Sequence, residues 1–372
     1  MVEGIHVDSR SYWNADGIDI VDCRRAQVRH CDFDSEDDGV CLKSYGGGTG
    51  CYDVDVSDCR IRSRVQNAFK LGTVSTFGFH NIHATNLTVD NTRRSAIALE
   101  SVDGGVLENV LVENVHGTNT GNAIFLRLGH RNVHGAVGQL QDVVIRNVSV
   151  EITSNRSRAY PEINLPPLEL SSSPSGDANP KPAAAPESRA YDEDICPSSI
   201  VGLPGFPVRN VRLENIAIVY PGDGVPDPHY VRPDKLDLVP ELPAKYPEFW
   251  MFGKMPAWGF YVRHAEGITF SNVCVTLRKA DLRPAVVFDD VARVGAEQLT
   301  VSSSPRNPVL VMQDVRDASF KNLGLPTAGR RAVKILGNCE KIEGLQGETA
   351  FLEPGNEEEA SANNTQTNSA IP

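Results

Sequence analysis

The sequence has neither a basic surplus nor a long apolar run. Its 36 Lys and Arg are set against 48 Asp and Glu, a formal net charge of -12. That leaves no basic face for nucleic-acid phosphates, so no nucleic-acid partner is expected. A polyanionic sugar stays open, because a few clustered cations can serve a groove on an acidic protein. No stretch approaches the roughly 20 apolar residues of a membrane-spanning helix, and no membrane partner is expected. The opening residues MVEGIHVDSRSYWNADG lack the basic and apolar regions of a secretory leader. There is no Cys/His spacing typical of a zinc site, and no metal or cofactor is expected. Eight Cys are even in number, but a disulfide framework is not the default for 372 residues.

What the sequence does have is a repeat. Apolar residues stand at i, i+2, i+5 and i+7, often with Asn or Asp at i+4, as in Val54, Val56, Cys59 and Ile61. The pattern starts at 26, 54, 82 and 110, each 28 apart, and returns at Val143, Val211, Ile268, Val294 and Ala318. A helix would put its apolar residues at i, i+3, i+4 and i+7. Two period-2 bursts offset by one residue describe two strands joined by a bend, and a fixed repeat of such units is a solenoid.

A second strand follows in each coil: DGIDIVD (16–22), DGVCLKS (38–44), NAFKLGT (67–73), SAIALES (95–101), NAIFLRL (122–128), WGFYVRH (258–264), PAVVFDD (284–290), PVLVMQD (308–314) and RAVKILG (331–337). With the first residue as position zero, +2 and +4 are always apolar and face inward, so +3 and +5 face outward. The expected fold is all-β, a right-handed parallel β-helix with coils of about 24–28 residues. It forms a single domain over 1–351 and is expected to be monomeric. Residues 155–206, rich in Pro, Ser and Ala, interrupt it as a flexible loop. Residues 219–257 form an aromatic insertion folded over the body, and 352–372 a disordered tail. Ile5 and Val7 occupy the i+5 and i+7 places of a coil that would begin before Met1, which suggests a chain lacking its first coils.

Asp16 and Asp38 share position zero of adjacent coils, so their carboxylates should be neighbours about 4.8 Å apart. Asp37 directly precedes Asp38 and should point another way. Clustered carboxylates repel, one pKa rises, and one group can hold a proton near neutral pH. Glycosidic cleavage needs that division between a protonated acid and an ionised base. Two other readings stand beside it. Asp before Gly17 and Gly39 suits tight bends, and a carboxylate cluster can bind calcium.

Asn14-Ala15-Asp16-Gly17 resembles the Asn-Thr-Asp-Gly motif of the polygalacturonase family, glycoside hydrolase family 28. Ser35-Glu36-Asp37-Asp38-Gly39, followed by Leu42-Lys43-Ser44, is similar to its paired-Asp motif. The resemblance runs through the coil repeat over most of 5–345. It implies a right-handed parallel β-helix, a pectic poly- or oligosaccharide substrate, secretion or a periplasmic location, and inversion at the anomeric carbon. It assigns Asp37 as general acid and Asp16 and Asp38 as joint activators of water, with Asn14 and Lys43 near the sugar. Two motifs depart from the family. Its Gly-His-Gly falls at Gln66-Asn67-Ala68, so Asn67 replaces the His. Its Arg-Ile-Lys falls at Ala98-Leu99-Glu100, so both substrate-binding cations are absent and Glu100 reverses one charge.

Outward positions offer substitutes in Lys70, Arg127 and Arg263. Lys70 and Arg127 flank Glu100 by one coil on each side, as a surface ion-pair ladder or as a relocated clamp for an acidic sugar. Tyr261 at +3 offers a face for sugar stacking, or else anchors a loop. Tyr246, Glu248, Phe249 and Trp250 either overhang the groove or pack the insertion. Cys31 and Cys59 fall on a stacked inward position as buried thiols, whereas Cys23 and Cys51 lie in turns and could be bridged after export. Asn81, Asn86, Asn109, Asn114, Asn147, Asn210 and Asn215 suit stacked turns. Two functions compete with the hydrolase: a β-helix polysaccharide lyase, which needs calcium and a basic residue, and a catalytically impaired glycan-binding remnant.

Overall fold

Every strand pair in the computed structural model is parallel, and each strand bonds to the strand one coil further on. The described residues are 1–46, 48–153, 196–222, 230–302, 308–326, 332–345 and 350–352. Among them there is no α-helix and only one short 3-10 turn, Leu236–Leu238. This is the architecture of a β-solenoid. No helix among the described residues is long and apolar enough to cross a membrane.

The observed pairing follows the repeat rung by rung. Val54 pairs with Ile82, Ile82 with Val110, Val110 with Val143, Val143 with Val211 and Val211 with Ile268. The stack continues through Val294 to Ala318. At i+4 the chain turns through left-handed backbone at Asp58, Asn86, Asn114, Asn147, Asn215 and Asn272. Asn and Asp tolerate that region better than other non-glycine residues, and here they also bond to one another. Asn86 donates to Asp58, Asn114 to Asn86, Asn147 to Asn114, Asn215 to Asn147 and Asn272 to Asn215, at 2.9–3.1 Å. A second ladder links Asn81 to Asp53 and Asn109 to Asn81.

The second strands stack in register through Ile20, Leu42, Leu71, Leu99, Leu126, Ile200, Val262, Phe288, Met312 and Ile335. All of these side chains are buried, and each such aliphatic residue contributes about 1.5–3 kcal/mol. Position +1 is small because the next coil crosses over it. A Cβ at Gly39 would collide with the Ile61 side chain and the Ala68 carbonyl.

One rung lies where the sequence suggests only a flexible loop. Ser198–Val201 is a strand between Val106–Leu128 and Phe260–Leu277, so the expected loop 155–206 is corrected at its C-terminal end. Ser198 hides the rung by putting a polar residue at an inward position. Its hydroxyl is 2.9 Å from the Tyr220 hydroxyl, which in turn donates to the Gly259 carbonyl at 2.6 Å. Residues 154–195 and the tail 353–372 lie outside the described residues.

Residues 230–257 lie across the outward face of the second-strand stack. Leu236, Val239, Phe249, Met251, Phe252 and Met255 form an apolar cluster with Phe125, Tyr261, Val287 and Val311 of the solenoid. All eight cysteines are free thiols, with Cys31 and Cys59 buried, so Cys23 and Cys51 are not bridged.

Candidate functional site

Position zero of the second strands is polar in five successive coils, and each side chain caps the next. The Asp38 N–H donates to Asp16 Oδ1 at 3.0 Å, the Asn67 N–H to Asp38 Oδ1 at 3.0 Å and the Ser95 N–H to Asn67 Oδ1 at 3.0 Å. Ser95 Oγ meets Asn122 Oδ1 at 3.4 Å. Asp16 and Asp38 thus each give one carboxylate oxygen to the backbone of the following coil. The second oxygens point elsewhere: Asp16 Oδ2 accepts from Lys43 Nζ at 2.6 Å, and Asp38 Oδ2 from Lys70 Nζ at 3.1 Å.

Asp37 joins them. Its Oδ1 accepts the Asp38 N–H at 2.8 Å, and one oxygen from each of Asp16, Asp37 and Asp38 lies within 4.8 Å of the others. The three carboxylates have unlike surroundings. Burial works against charge on Asp38, but the Lys70 ammonium and the Asn67 donors outweigh it and hold the pKa below the usual range. Burial and the Asp38 charge push Asp37 up against the weaker pull of Lys70 and Arg94. Burial pushes Asp16 up to about 7, although Lys43 pulls the other way. The site thus holds one fixed anion and two carboxyls that retain protons more readily than usual.

The same oxygens decide what cation the cluster accepts. Three clustered carboxylates can coordinate a divalent ion. Here the Lys43 and Lys70 ammonium groups already occupy the outer oxygens of Asp16 and Asp38. Burial disfavours the Lys70 charge, but Asp38 and Glu100 raise its pKa well above the ordinary lysine value. Lys43 is likewise raised by the neighbouring anions against its own burial.

Several outward positions are corrected. Outward from the core does not mean exposed, because residues 230–257 cover that face. Lys70, Glu100, Arg127, Tyr261 and Arg263 are all buried. The expected surface ladder Lys70–Glu100–Arg127 is in fact one buried contact, Lys70 Nζ to Glu100 Oε2 at 3.9 Å. Glu100 also accepts from Thr73 Oγ1, and burial raises its pKa to about 8. Arg127 turns away from Glu100 and donates to the carbonyls of Gly202, Glu241 and Leu242. Arg263 pairs with Glu241 at 2.7 Å and Asp289 at 3.1 Å, and the Tyr261 hydroxyl donates to Asp289. Arg127 and Arg263 therefore fasten the insertion, and Tyr261 is its floor, with no face open to a sugar.

Asn14 is exposed, in left-handed backbone just before the acidic centre. The insertion reaches that centre with Tyr246, Glu248 and Trp250. Glu248 forms an ion pair with Arg94, whose guanidinium lies 4.4 Å from the Trp250 ring. The half-exposed Tyr246 ring lies 5.5 Å from Lys70 Nζ. Arg94 escaped the sequence reading, yet the signal was there: it occupies the place before position zero, as Asp37 does two coils earlier. Glu36 also escaped, and its buried Oε2 has no hydrogen-bond partner. No protein-family model, curated protein or solved structure matches the chain.

Proposed function

We propose that the chain is an O-glycosyl hydrolase of the polygalacturonase type, on a right-handed parallel β-helix, acting on a pectin-type poly- or oligosaccharide. The handedness follows the strong preference of parallel strand crossovers. The observation that carries the reading is the convergence of three carboxylates from adjacent rungs, one oxygen of each within 4.8 Å of the others, with Lys43 on Asp16 and Lys70 on Asp38. Asp37 is the general acid: its proton passes to the glycosidic oxygen as the bond to the anomeric carbon breaks. Asp16, with Asp38 fixed as an anion beside it, takes a proton from the water that attacks that carbon. Asn14 and Lys43 border the sugar, and Asn67 holds Asp38. No metal has a part in these steps.

The lyase reading loses ground on charge. Elimination needs a basic residue able to accept a proton, and both lysines at the centre are held protonated. A glycan-binding remnant stays distinguishable by turnover.

The test is sugar release from homogalacturonan, rhamnogalacturonan and short oligogalacturonides. Asp37→Asn should lower the rate by about 10²–10⁴-fold, the usual contribution of a positioned acid, with the fold intact. Retained activity would remove Asp37 from the acid role. Stereochemistry is the second readout. Inverting pairs usually stand ~6.5–9.5 Å apart and retaining pairs ~5–5.5 Å, whereas these oxygens lie within 4.8 Å. Proton NMR of the first product should show inversion, which is what the resemblance of the Asp16 and Asp37-Asp38 motifs to the polygalacturonase family implies and what the close spacing alone does not give. Retention would instead make one of these carboxylates a nucleophile.

A further inference from the structure

Pectic polymers offer two kinds of ring to such a centre: uronates, which carry a carboxylate, and neutral sugars, which do not. A uronate needs a cation to receive its carboxylate, because a charge taken from water without a partner is costly. The cations around the acidic centre are already committed. Lys43 Nζ lies 2.6 Å from Asp16 Oδ2 and 2.7 Å from Asp19 Oδ1. Lys70 is 1% exposed and lies between Asp38 and Glu100. Arg94 is paired with the buried Glu248 and also donates to Gln66. Arg131, 5.6 Å from the Tyr246 ring, holds both oxygens of Asp103 at 2.9 and 2.6 Å. Lys245 is exposed beside Tyr246, and Arg64 is half-buried. Neither is a leading influence on Asp16, Glu36, Asp37, Asp38 or Tyr246.

The carboxyls are in surplus. Lys43 and Lys70 each serve two of them, and Arg94 answers Glu248 while Glu36 and Asp37 stand in its field. Glu36 Oε2 is buried with no hydrogen-bond partner, and Asp19 is exposed on the first rung. A further carboxylate would meet this surplus, and like charges brought together in a site exclude a partner. What faces solvent here suits an uncharged ring. Tyr12 and Trp13 are exposed just before Asn14 and offer apolar faces, while Asn14 and Asp19 offer acceptors to hydroxyls. We infer that the sugar whose anomeric carbon is attacked is neutral, such as a rhamnosyl or galactosyl unit of a pectic polymer, and that the committed cations and the exposed Asp19 exclude a uronate there. The inference rests on the hydrolase reading of the acidic centre.

The experiment changes the charge of the sugar and keeps the linkage. Reducing the carboxyl groups of homogalacturonan to primary alcohols turns each galacturonate into galactose. The full chain is then assayed on the native polymer, the reduced polymer and rhamnogalacturonan. The reduced polymer should be cleaved faster, by about tenfold or more, since like charges brought together in a site cost more than one decade in affinity. In rhamnogalacturonan, where both kinds of ring alternate, borohydride labelling of the new reducing ends should find rhamnose. Equal or faster cleavage of native homogalacturonan, or galacturonate at the new reducing ends, overturns the neutral-sugar inference and leaves the hydrolase reading standing. Release of no sugar from any of the three overturns the hydrolase reading and the inference with it. Asp19→Asn removes one exposed repelling charge and should narrow the preference for the reduced polymer. An unchanged preference in that variant overturns the part given to Asp19.

Discussion

Lys70 lies in a buried space between two carboxylates, Asp38 at 3.1 Å and Glu100 at 3.9 Å. Removing the ammonium leaves Asp38 as an uncompensated buried charge, a change that costs about 3–5 kcal/mol in comparable pairs. Lys70→Met should therefore lose stability of that order in urea unfolding at neutral pH. Adding Asp38→Asn should recover part of the loss, because no lone charge then remains. Lys43 acts on chemistry instead. It is the cation that pulls Asp16 down, against the burial that lifts it to about 7. Lys43→Met should move the limb of the kcat/KM–pH profile that requires ionised Asp16 to higher pH, and an unmoved limb removes Asp16 from the titrating pair. The neighbourhood of Asp16 and Asp38 was legible in the sequence because both occupy position zero of adjacent coils. The burial of Lys70, Arg127 and Tyr261 was not, because the segment that covers them comes from far along the chain and no local pattern encodes where it lands.

At the scale of elements, the strands were legible wherever the inward positions stayed apolar. The rung at Ser198–Val201 was lost because a Tyr220–Ser198 hydroxyl pair replaces an apolar contact in the core. The asparagine ladder makes the bend between first-strand bursts its own structural element. Asn147 donates to Asn114 and accepts from Asn215, each at 3.0 Å, with φ at 55°. Asn147→Ala loses both bonds and forces a Cβ-bearing residue without a polar side chain into left-handed backbone. It should cost about 1–3 kcal/mol, with Asn147→Gly nearer the low end because glycine adopts that backbone freely. Equal losses in the two variants, measured by thermal unfolding, would assign the cost to the ladder bonds alone. The insertion is the opposite kind of element, held by tertiary contacts. Phe249→Ala empties part of the cluster over Tyr261 and should cost about 3–5 kcal/mol if the insertion unfolds together with the solenoid.

At the scale of the whole molecule, protons decide where the fold is most stable. Glu100 is raised to about 8 and Asp16 to about 7, and Asp37, Glu36 and Glu248 are raised as well, all chiefly by burial. For these groups the native state binds more protons than the unfolded chain, so the stability they contribute is complete below the ordinary carboxyl pKa. It is lost as pH rises through their folded values. Asp38 runs the other way: Lys70 and Asn67 hold it low against burial, and its contribution is lost as pH falls through its folded value. A formal net charge of -12 near neutral pH adds self-repulsion that acid relieves. Stability should therefore peak in mildly acidic solution and decline from about pH 4.5 to about pH 8. In a solenoid each coil is supported by its neighbours, so a local change at the fourth rung reaches the global transition. Glu100→Gln keeps an acceptor for Thr73 Oγ1 and removes the carboxyl that burial raises to about 8. Its melting temperature should exceed that of the parent above pH 8, and the decline between pH 6 and pH 8 should flatten. A parallel decline in both proteins would show that Glu100 is ionised in the native state across that range, held by Lys70 more firmly than burial opposes it.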